Sequence, residues 1–466
     1  MEQIKIKRGR PKKEIEAEPT EVKSKKYKVL WYGDSPSANT GFGNVSRNVL
    51  KQLVASDLFD ITVLGIQYFE DPLVDLFEAE KMPYRFIAAG NNHENDMFGR
   101  KKLINLIISE PFDLIITFSD LQNLITQRHG CANSLRMIIN KAMQKFNKQI
   151  CWMIYTPVDG QLKLWELEPV KEADYTFFYT QTAFDQAFNM LANEIACQCP
   201  DNKKIQQLLM NELLGRMGFV YHGINLNEFY PIKDRQKVAQ FRKEYFNISP
   251  ETFLIININR NQPRKDLPHS IEAFAKIKKE CPDSMLYLHC RNVDVGGDMG
   301  EIVEAYGNPN GIRIPENFDI IRGVNTETLN LIYNSADLYI TTTLGEGWGL
   351  TTAEAFASKC LTIIPNHSSL SELGADNRSI FCNCNSTRIS HEDFYRIRPV
   401  VDTNDLASKI LYIYQAKKNN KTKELNMIID NAYNWIKDLT WENVCQEWVS
   451  KLKRLLNITD PIDLQP

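Results

Sequence analysis

The chain has 466 residues, 43% hydrophobic and 24% charged, with a formal net charge of −3. A chain of this size exceeds what one hydrophobic core usually supports, so we expect two domains of roughly 200 residues. No apolar run reaches the ~18 residues of a membrane span, and the N-terminus is basic and polar, which argues against a membrane-spanning or secreted protein and favours the cytoplasm.

Ten cysteines in a chain of this length are typical of reduced thiols in a cytosol rather than of a disulfide framework. Two C-x-C pairs, Cys197 with Cys199 and Cys382 with Cys384, could bind zinc. Their spacing is one residue shorter than the usual zinc knuckle and no histidine flanks either pair, so we predict no metal site.

Residues 1–26 contain nine Lys or Arg and five Glu, a net charge of +4, and no aromatic residue. The other residues then carry a net charge of −7, too acidic to attract a polyanion. We expect a disordered tail. Residues 7–13 (Lys-Arg-Gly-Arg-Pro-Lys-Lys) resemble the AT-hook, which lies in the minor groove of A/T-rich DNA. The alternative is a solubilising or nuclear-targeting basic run.

From Tyr27 the pattern alternates between short apolar runs and helical segments, which indicates a parallel sheet covered on both faces. The predicted strands of this first half are residues 27–32, 61–66, 85–89, 113–118, 150–155, 176–179 and 219–221.

A Gly-rich loop follows the first of these strands and precedes a helix predicted from about Asn44. Gly41 and Gly43 fit a dinucleotide fingerprint only in part, because Ser46 stands at the third glycine and no acidic residue closes the second strand. We therefore predict no NAD site. The loop lies at the mouth of the sheet and suits an acceptor or a phosphate.

The same periodicity starts afresh after residues 222–231. The predicted strands of the second half are residues 253–259, 285–290, 319–322, 337–343, 361–365 and 379–382. The chain therefore predicts an α/β protein with two doubly wound, Rossmann-like parallel-sheet domains that face a cleft.

We place the boundaries of this organisation at the tail, at the linker and before the last helix. The segments are residues 1–26, a disordered basic tail; 27–231, the acceptor-side domain; 232–440, the nucleotide-sugar-binding domain; and 441–466, a C-terminal helix and tail that could pack back on the first domain.

The clearest chemical signal is the turn of residues 345–349, which joins a predicted strand to a helix starting near Leu350. Three glycines let a ligand approach the backbone, and the first-turn amides of the helix attract anions. Glu346 and Glu354 flank these amides, so both can face a polyhydroxylated ligand. The alternative is an ordinary tight turn with two solvated carboxylates.

Two cations stand at the start of the second half, at the rim of the same cleft. Arg260 ends a strand, and Lys265 precedes a helix. Arginine grips phosphate oxygens bidentately, while lysine adds a mobile point charge. A solvated basic loop is the alternative.

These motifs together resemble the GT-B glycosyltransferases, in particular the retaining group-1 family, over roughly residues 27–456. Glu346 and Glu354, with seven residues between them, are similar to that family's E-x7-E element. Arg260 and Lys265 are similar to its Arg-x4-Lys diphosphate clamp. Residues 222–231 resemble its domain connection, and residues 365–372 its donor-side loop.

The resemblance implies a nucleotide-diphosphate sugar as donor, held by the second half, and transfer with retention to a hydroxyl acceptor. Arg260, Lys265 and the backbone of residues Gly347, Gly349, Leu350 and Thr351 would stabilise the leaving diphosphate. Glu354 would take the ribose and Glu346 the sugar. No Asp-x-Asp pair is present, so we expect metal-independent transfer without a cofactor.

One position departs from the family. Many members have a histidine at the end of a strand in the first domain, where this chain has Asp159. A carboxylate there either accepts a proton from the acceptor or caps a turn.

Other readings remain open at this stage: a sugar-nucleotide epimerase on the same fold, or a DNA-binding protein with an idle GT-B body. The acceptor could be a glycan, a lipid, a protein, or a hydroxylated base of DNA contacted with the help of residues 7–13.

Overall fold

The computed structural model describes residues 26–38, 40–66, 83–90, 96–124, 134–316, 318 and 323–458. Two parallel sheets with helices on their faces make up most of this part of the chain, which confirms the α/β fold of two Rossmann-like halves. None of the helices in the described part is long and apolar enough to span a membrane.

The first sheet has seven parallel strands in the order β3-β2-β1-β4-β5-β6-β7. Their bounds are β1 Tyr27–Asp34, β2 Phe59–Ile66, β3 Arg85–Ala88, β4 Leu114–Phe118, β5 Cys151–Thr156, β6 Tyr175–Phe178 and β7 Met217–Phe219. The strand order reverses between β1 and β4, and open sheets of this kind bind ligands at that point, beyond the carboxyl ends of the strands.

The second sheet has six parallel strands in the order β12-β9-β8-β13-β14-β15. Two small antiparallel pairs, β10 with β11 and β16 with β17, project from this half. The bounds are β8 Phe253–Asn257, β9 Ser284–Leu288, β10 Val293–Asp294, β11 Gly297–Asp298, β12 Ile312–Arg313, β13 Leu338–Ile340, β14 Thr362–Pro365, β15 Ile380–Cys382, β16 Cys384–Arg388 and β17 Arg398–Val401.

Sixteen α-helices lie in the described part of the chain. They are α1 Gly41–Ala55, α2 Arg100–Ser109, α3 Leu121–Leu124, α4 Leu135–Phe146, α5 Glu168–Glu172, α6 Gln181–Gln198, α7 Lys203–Gly215, α8 Arg235–Phe246, α9 Leu267–Ile277, α10 Met299–Ala305, α11 Thr326–Ser335, α12 Leu350–Ala357, α13 Ser368–Leu373, α14 Thr403–Lys418, α15 Lys423–Ile436 and α16 Trp441–Leu455.

The described strands that were predicted lie close to their predicted positions, but the short strands β10, β11 and β12 were not predicted. Residues 319–322, predicted as a strand, are outside the described residues. The hairpin β16–β17 was not predicted, because its outer residues are polar and lack an apolar alternation. Helix α1 begins at Gly41 rather than near Asn44, because the Thr40 side chain accepts a hydrogen bond from the Gly43 amide (2.9 Å) and caps the helix.

The two halves share one hydrophobic core near the linker, and α16 takes part in it. Trp448 of α16 is fully buried against Tyr155 of β5, with the ring centroids 4.7 Å apart, and also faces Trp31 of β1 (6.1 Å). The last helix therefore packs on the first sheet, although it follows the second half in sequence. The domain boundaries given above stay predictions.

His222 lies in this aromatic junction. Its Nδ1 is 2.6 Å from the Tyr155 hydroxyl, and its ring lies 5.8 Å from Trp348 and 5.9 Å from Trp441. Gly223 follows it because a Cβ there would lie 2.5 Å from the Cα of Trp441. Burial lowers the pKa of His222 to about 3, so the ring is neutral in the folded protein.

This burial predicts a pH dependence of stability. The unfolded chain takes up a proton on His222 below its ordinary pKa of about 6.5, whereas the folded chain does so only near 3. The free energy of unfolding should therefore fall as the pH falls from 6.5 to 4, by about 1.4 kcal/mol per pH unit from this group. Urea unfolding of His222→Asn at several pH values should show a smaller slope than the wild type. The exposed His391 gives the control: His391→Asn should keep the wild-type slope, and an unchanged slope in His222→Asn would contradict the assignment.

Candidate active site

Most of the residues predicted to do chemistry lie where the carboxyl ends of the two sheets face each other, and Arg260 is the exception. The turn of residues 345–349 follows β13 and leads into α12. Gly349 has a φ of +108°, a conformation that favours glycine, and its carbonyl accepts the first helical hydrogen bonds from Thr352 and Ala353. The α12 N-terminus consequently begins at Leu350, as predicted.

Two glycines of the turn touch the first half directly. A Cβ on Gly345 would overlap the carbonyl oxygen of Asp159, and a Cβ on Gly347 would lie 2.5 Å from the Cβ of Pro157. The close approach that glycine allows is thus used by the loop after β5. The turn and that loop form adjacent walls of one site.

Glu346 of this turn is bound by two cations of the loop before α9. Lys265 forms an ion pair with one carboxylate oxygen, and the Arg264 guanidinium lies 3.4 Å from the other. Glu346 is only 9% exposed. Burial raises the pKa of its carboxyl, but Lys265 and Arg264 more than offset this and the pKa is lowered. The structure therefore brings together two of the predicted residues, Glu346 and Lys265.

Arg260, the other predicted cation, lies apart from this group. Its guanidinium pairs with Asp294 of β10, at 2.7 and 3.0 Å, and its side chain is 60% exposed. Arg264 faces the site in its place. Arg264 was not singled out from the sequence, although its position directly before Lys265 could have identified it as a second cation of the same loop.

Glu354 lies one turn inside α12 and is 7% exposed. The Tyr333 hydroxyl of α11 donates a hydrogen bond to it at 2.8 Å. Burial raises the pKa of Glu354 to about 8. Its neighbour Thr351 is 2.8 Å, oxygen to oxygen, from the Tyr339 hydroxyl. Among the described residues no cation pairs with Glu354, in contrast to Glu346.

Asp159 lies in the loop after β5, which forms the wall next to the Gly-rich turn. Its carboxylate is bound by Arg398 of β17 at 3.0 Å and by Arg264 at 3.3 Å. Burial raises the pKa of the Asp159 carboxyl, but these two arginines and Arg396 outweigh it and the pKa is lowered. The residue is therefore an ionised carboxylate shared between the two halves.

A second carboxyl of this wall, Asp120, was not singled out from the sequence. It follows β4, which neighbours both β1 and β5 in the sheet. Burial, then the charges of Asp159 and Asp34, raise its pKa to about 7 against the opposing effect of nearby arginines. Its position directly after a continuous apolar strand was the signal that could have identified it.

The Gly-rich loop of the first half faces the turn of the second. A Cβ on Gly41 would lie 3.3 Å from the Cδ1 of Leu350, so the N-termini of α1 and α12 meet across the cleft. Gly43 packs against Ala38, whose carbonyl a Cβ would overlap. The Thr40 hydroxyl donates to Asp34 at 2.8 Å. Asn39 of this loop and residues 7–13 of the tail lie outside the described residues.

Glu372, in the stretch that resembles a donor-side loop, also joins the halves. Its carboxylate accepts hydrogen bonds from the amides of Gln181 (3.1 Å) and Thr182 (2.9 Å) at the start of α6, and from the Tyr221 hydroxyl (2.5 Å). A negative charge is stabilised at a helix N-terminus. The contact therefore helps to hold the second half against the first.

Within the described ranges, no three His, Cys, Asp or Glu side chains are grouped in a way that could hold a metal ion. Both C-x-C pairs are free thiols.

Residues 239–392, a third of the chain, match the family model of glycosyl transferases group 1. The alpha-monoglucosyldiacylglycerol synthase of Acholeplasma laidlawii is 23% identical over 203 residues, which cover 43% of this chain and 49% of that protein. The trehalose synthase of Thermococcus litoralis is 28% identical over 125 residues, which cover 24% and 27%. The matched region thus spans at most about half the length of these curated relatives.

The likeness to solved structures extends over almost the whole chain. The sucrose-phosphate synthase of Thermosynechococcus elongatus aligns with a TM-score of 0.61 and 16% identity, covering 93% of this chain and 100% of that one. The Anabaena protein HepE, solved with UDP-glucose, aligns with a TM-score of 0.62 and 12% identity, covering 92% and 99%. At these identities the likeness shows the fold, which is GT-B. Residues 239–392 are thus similar to the glycosyl transferases group 1 family, and the chain as a whole has the GT-B fold.

Proposed function

We propose that the chain is a retaining glycosyltransferase, which moves a sugar from a nucleotide-diphosphate sugar to a hydroxyl of an acceptor without a metal ion or cofactor. The observation that carries this is the ion-paired group of buried Glu346 with the partly buried Lys265 and Arg264, beside the N-terminus of α12. Two cations and a helix N-terminus suit a diphosphate, and a carboxylate among them suits sugar hydroxyls.

The leaving diphosphate is the group that needs most stabilisation. Lys265 and the first-turn amides of α12 are fixed in place, so they need little reorganisation when charge develops. Arg260 is proposed to join them. The Arg260 side chain is 60% exposed, although that of its partner Asp294 is only 10% exposed, so the guanidinium has room to exchange that carboxylate for phosphate.

The acceptor is proposed to bind against the first half, near Asp159, Asp120 and the loop of Gly41 and Gly43. The acceptor oxygen bonds to the anomeric carbon, and the bond from that carbon to the diphosphate breaks with its electron pair leaving on the diphosphate. Asp159 is held ionised by two arginines and is therefore a weak base, suited to accept a hydrogen bond from the hydroxyl. Asp120, with a pKa near 7, suits the role of proton acceptor better.

The direct test is mass spectrometry of the purified protein with a panel of nucleotide sugars, headed by UDP-glucose because HepE was solved with it. Release of the nucleotide diphosphate, faster with hydroxylated acceptors than without, is the expected result. An epimerised nucleotide sugar with no release would instead identify an epimerase. No turnover of any donor would overturn the proposal.

Glu346→Gln and Lys265→Ala are each expected to lower the turnover number by roughly 100-fold, because each removes one fixed charge from the site. Arg260→Ala should behave in the same way if its guanidinium moves to the diphosphate. Steady-state kinetics measures the effect, and circular dichroism checks folding. Glu301→Gln, on the exposed face of α10, is the matched control. Full activity of the folded Glu346 or Lys265 variant would refute the site.

Glu354 is expected to contribute to donor binding, because hydroxyl groups such as those of a ribose donate to an ionised carboxylate. Since its pKa lies near 8, the group becomes ionised as the pH rises through 8, so donor affinity should increase from pH 7 to 9. Calorimetric titration with an intact nucleotide sugar measures this. Glu354→Gln should bind the donor more weakly at pH 9 and lose the pH dependence. A pure effect on the turnover number would contradict the assigned role.

Activity is expected to survive EDTA, since Lys265, the arginines and the α12 amides balance the charge of the diphosphate. The measurement compares initial rates with and without EDTA, and after adding back Mn²⁺. Loss of activity with EDTA and its recovery with Mn²⁺ would show that an ion neutralises the leaving group.

A further inference from the structure

Arg398 of β17 is the most enclosed cation of the cleft, with a side chain only 5% exposed. Asp393 of the same hairpin holds its guanidinium bidentately, Nε to Oδ2 at 2.6 Å and Nη2 to Oδ1 at 2.8 Å. Such a fork fixes the plane of the guanidinium. The remaining donors of Arg398 therefore point in a defined direction.

Those donors bind Asp159 of the other half. Nη2 donates to its carboxylate at 3.0 Å, and Nη1 donates to its main-chain carbonyl. Arg398 thus holds both the side chain and the backbone of the loop after β5, and no other residue contacts that loop in this way among those described.

Two glycines, one from each half, make room for this guanidinium. A Cβ on Gly160 or on Gly345 would lie 2.5 Å from Nη1 of Arg398. Gly160 follows Asp159, and Gly345 precedes Glu346. The arginine therefore lies between the acceptor-side loop and the Gly-rich turn, where any side chain at either glycine would displace it.

The rest of the hairpin has a second anchor on the first half. Arg396 forms an ion pair with Glu166, and the two side chains are 7% and 1% exposed. A short 3₁₀-helix, His391–Asp393, precedes this anchor. Phe394 and Tyr395, which lie between them, have φ values of +54° and +56°, which bulky residues rarely adopt. Strained segments of this kind persist where surrounding contacts fix them. The hairpin is therefore held in one shape against the first half.

We propose that Arg398 is a positioning residue for the acceptor. It fixes Asp159 beside the turn that contains Gly345, and Asp159 in turn holds the acceptor hydroxyl in position relative to the bound sugar. This rests on the proposed glycosyl transfer and adds no bond-making step to it. The contribution is orientational, and misplacing a reacting group by an ångström costs about 100-fold in rate.

Gly160→Ala tests this without removing any charge. The added methyl group meets the flexible end of Arg398, so the chain should fold while the guanidinium moves. We expect Gly160→Ala and Arg398→Met to lower acceptor-dependent transfer by about 30-fold or more while donor hydrolysis changes by less than about 3-fold. Arg398→Lys should lie in between, because it keeps the charge but loses the fork.

The double variant Gly160→Ala/Arg398→Met should be no worse than Arg398→Met alone, since both changes act through one contact. Arg388→Met is the matched control, because Arg388 lies directly opposite Arg398 in the register of β16 and β17 and its side chain is exposed. If Arg398→Met fails to fold, Gly160→Ala and Arg398→Lys carry the test. Wild-type transfer in the folded variants, or an equal loss of transfer and hydrolysis, would overturn the proposal.

A wild type without transfer activity would overturn the proposed function and leave the positioning to be tested separately. Hydrogen exchange tests the positioning directly: the amides of residues 158–163 should exchange faster in Gly160→Ala and Arg398→Met than in the wild type and Arg388→Met. Unchanged exchange in both variants would overturn the positioning role itself.

Discussion

Buried charge has to be neutralised, and in this protein the neutralisation links the two halves. A continuous series of ion pairs runs from Glu166 through Arg396, Asp393, Arg398, Asp159, Arg264 and Glu346 to Lys265. Removing one member of a buried pair typically costs about 3–5 kcal/mol, because the partner is left buried and unpaired; in this series that applies to Arg396 and Glu166, whose side chains are 7% and 1% exposed. Separating the halves would expose or orphan several of these charges together. The cleft therefore depends on both halves being in contact.

The aromatic junction behind the cleft supports the same geometry by apolar packing. Tyr155, His222, Trp348 and Trp448 come from β5, the linker, the Gly-rich turn and α16, and they belong to or contact one buried cluster. Interiors of this kind are close-packed and transmit small displacements. A change in the linker or in α16 will therefore be felt at the turn that holds Glu346. The polar front and the apolar back of the cleft are in this sense one structure.

The similarity to the glycosyl transferases group 1 family lies in only one of the two halves. The family model matches residues 239–392, the half that holds Glu346, Lys265 and Glu354. Asp120 and Asp159 lie in the other half, outside that match. The family similarity therefore covers the half that is proposed to bind the donor and not the half that is proposed to bind the acceptor. Arg398 lies just beyond the matched region and connects the two.

The fold class could be predicted from the sequence alone, and the same pattern indicates a ligand site at the turn of residues 345–349. Apolar periodicity depends on local burial, so strands such as β1, β4 and β14 could be predicted with boundaries close to those observed. The turn of residues 345–349 could be predicted for a similar reason. Several glycines directly before a helix indicate a tight turn, because glycine adopts backbone conformations that other residues disfavour.

Which charged side chains form ion pairs could be seen only in the tertiary structure. Arg260 and Arg264 are four residues apart and chemically identical, yet one faces Asp294 and the other faces Glu346 and Asp159. Their directions depend on side-chain packing and on the partner loop, which local sequence does not encode. The contact of Arg398 with Asp159 joins residues 239 positions apart. No local pattern specifies such a pair, because it exists only once both sheets and the hairpin are in place.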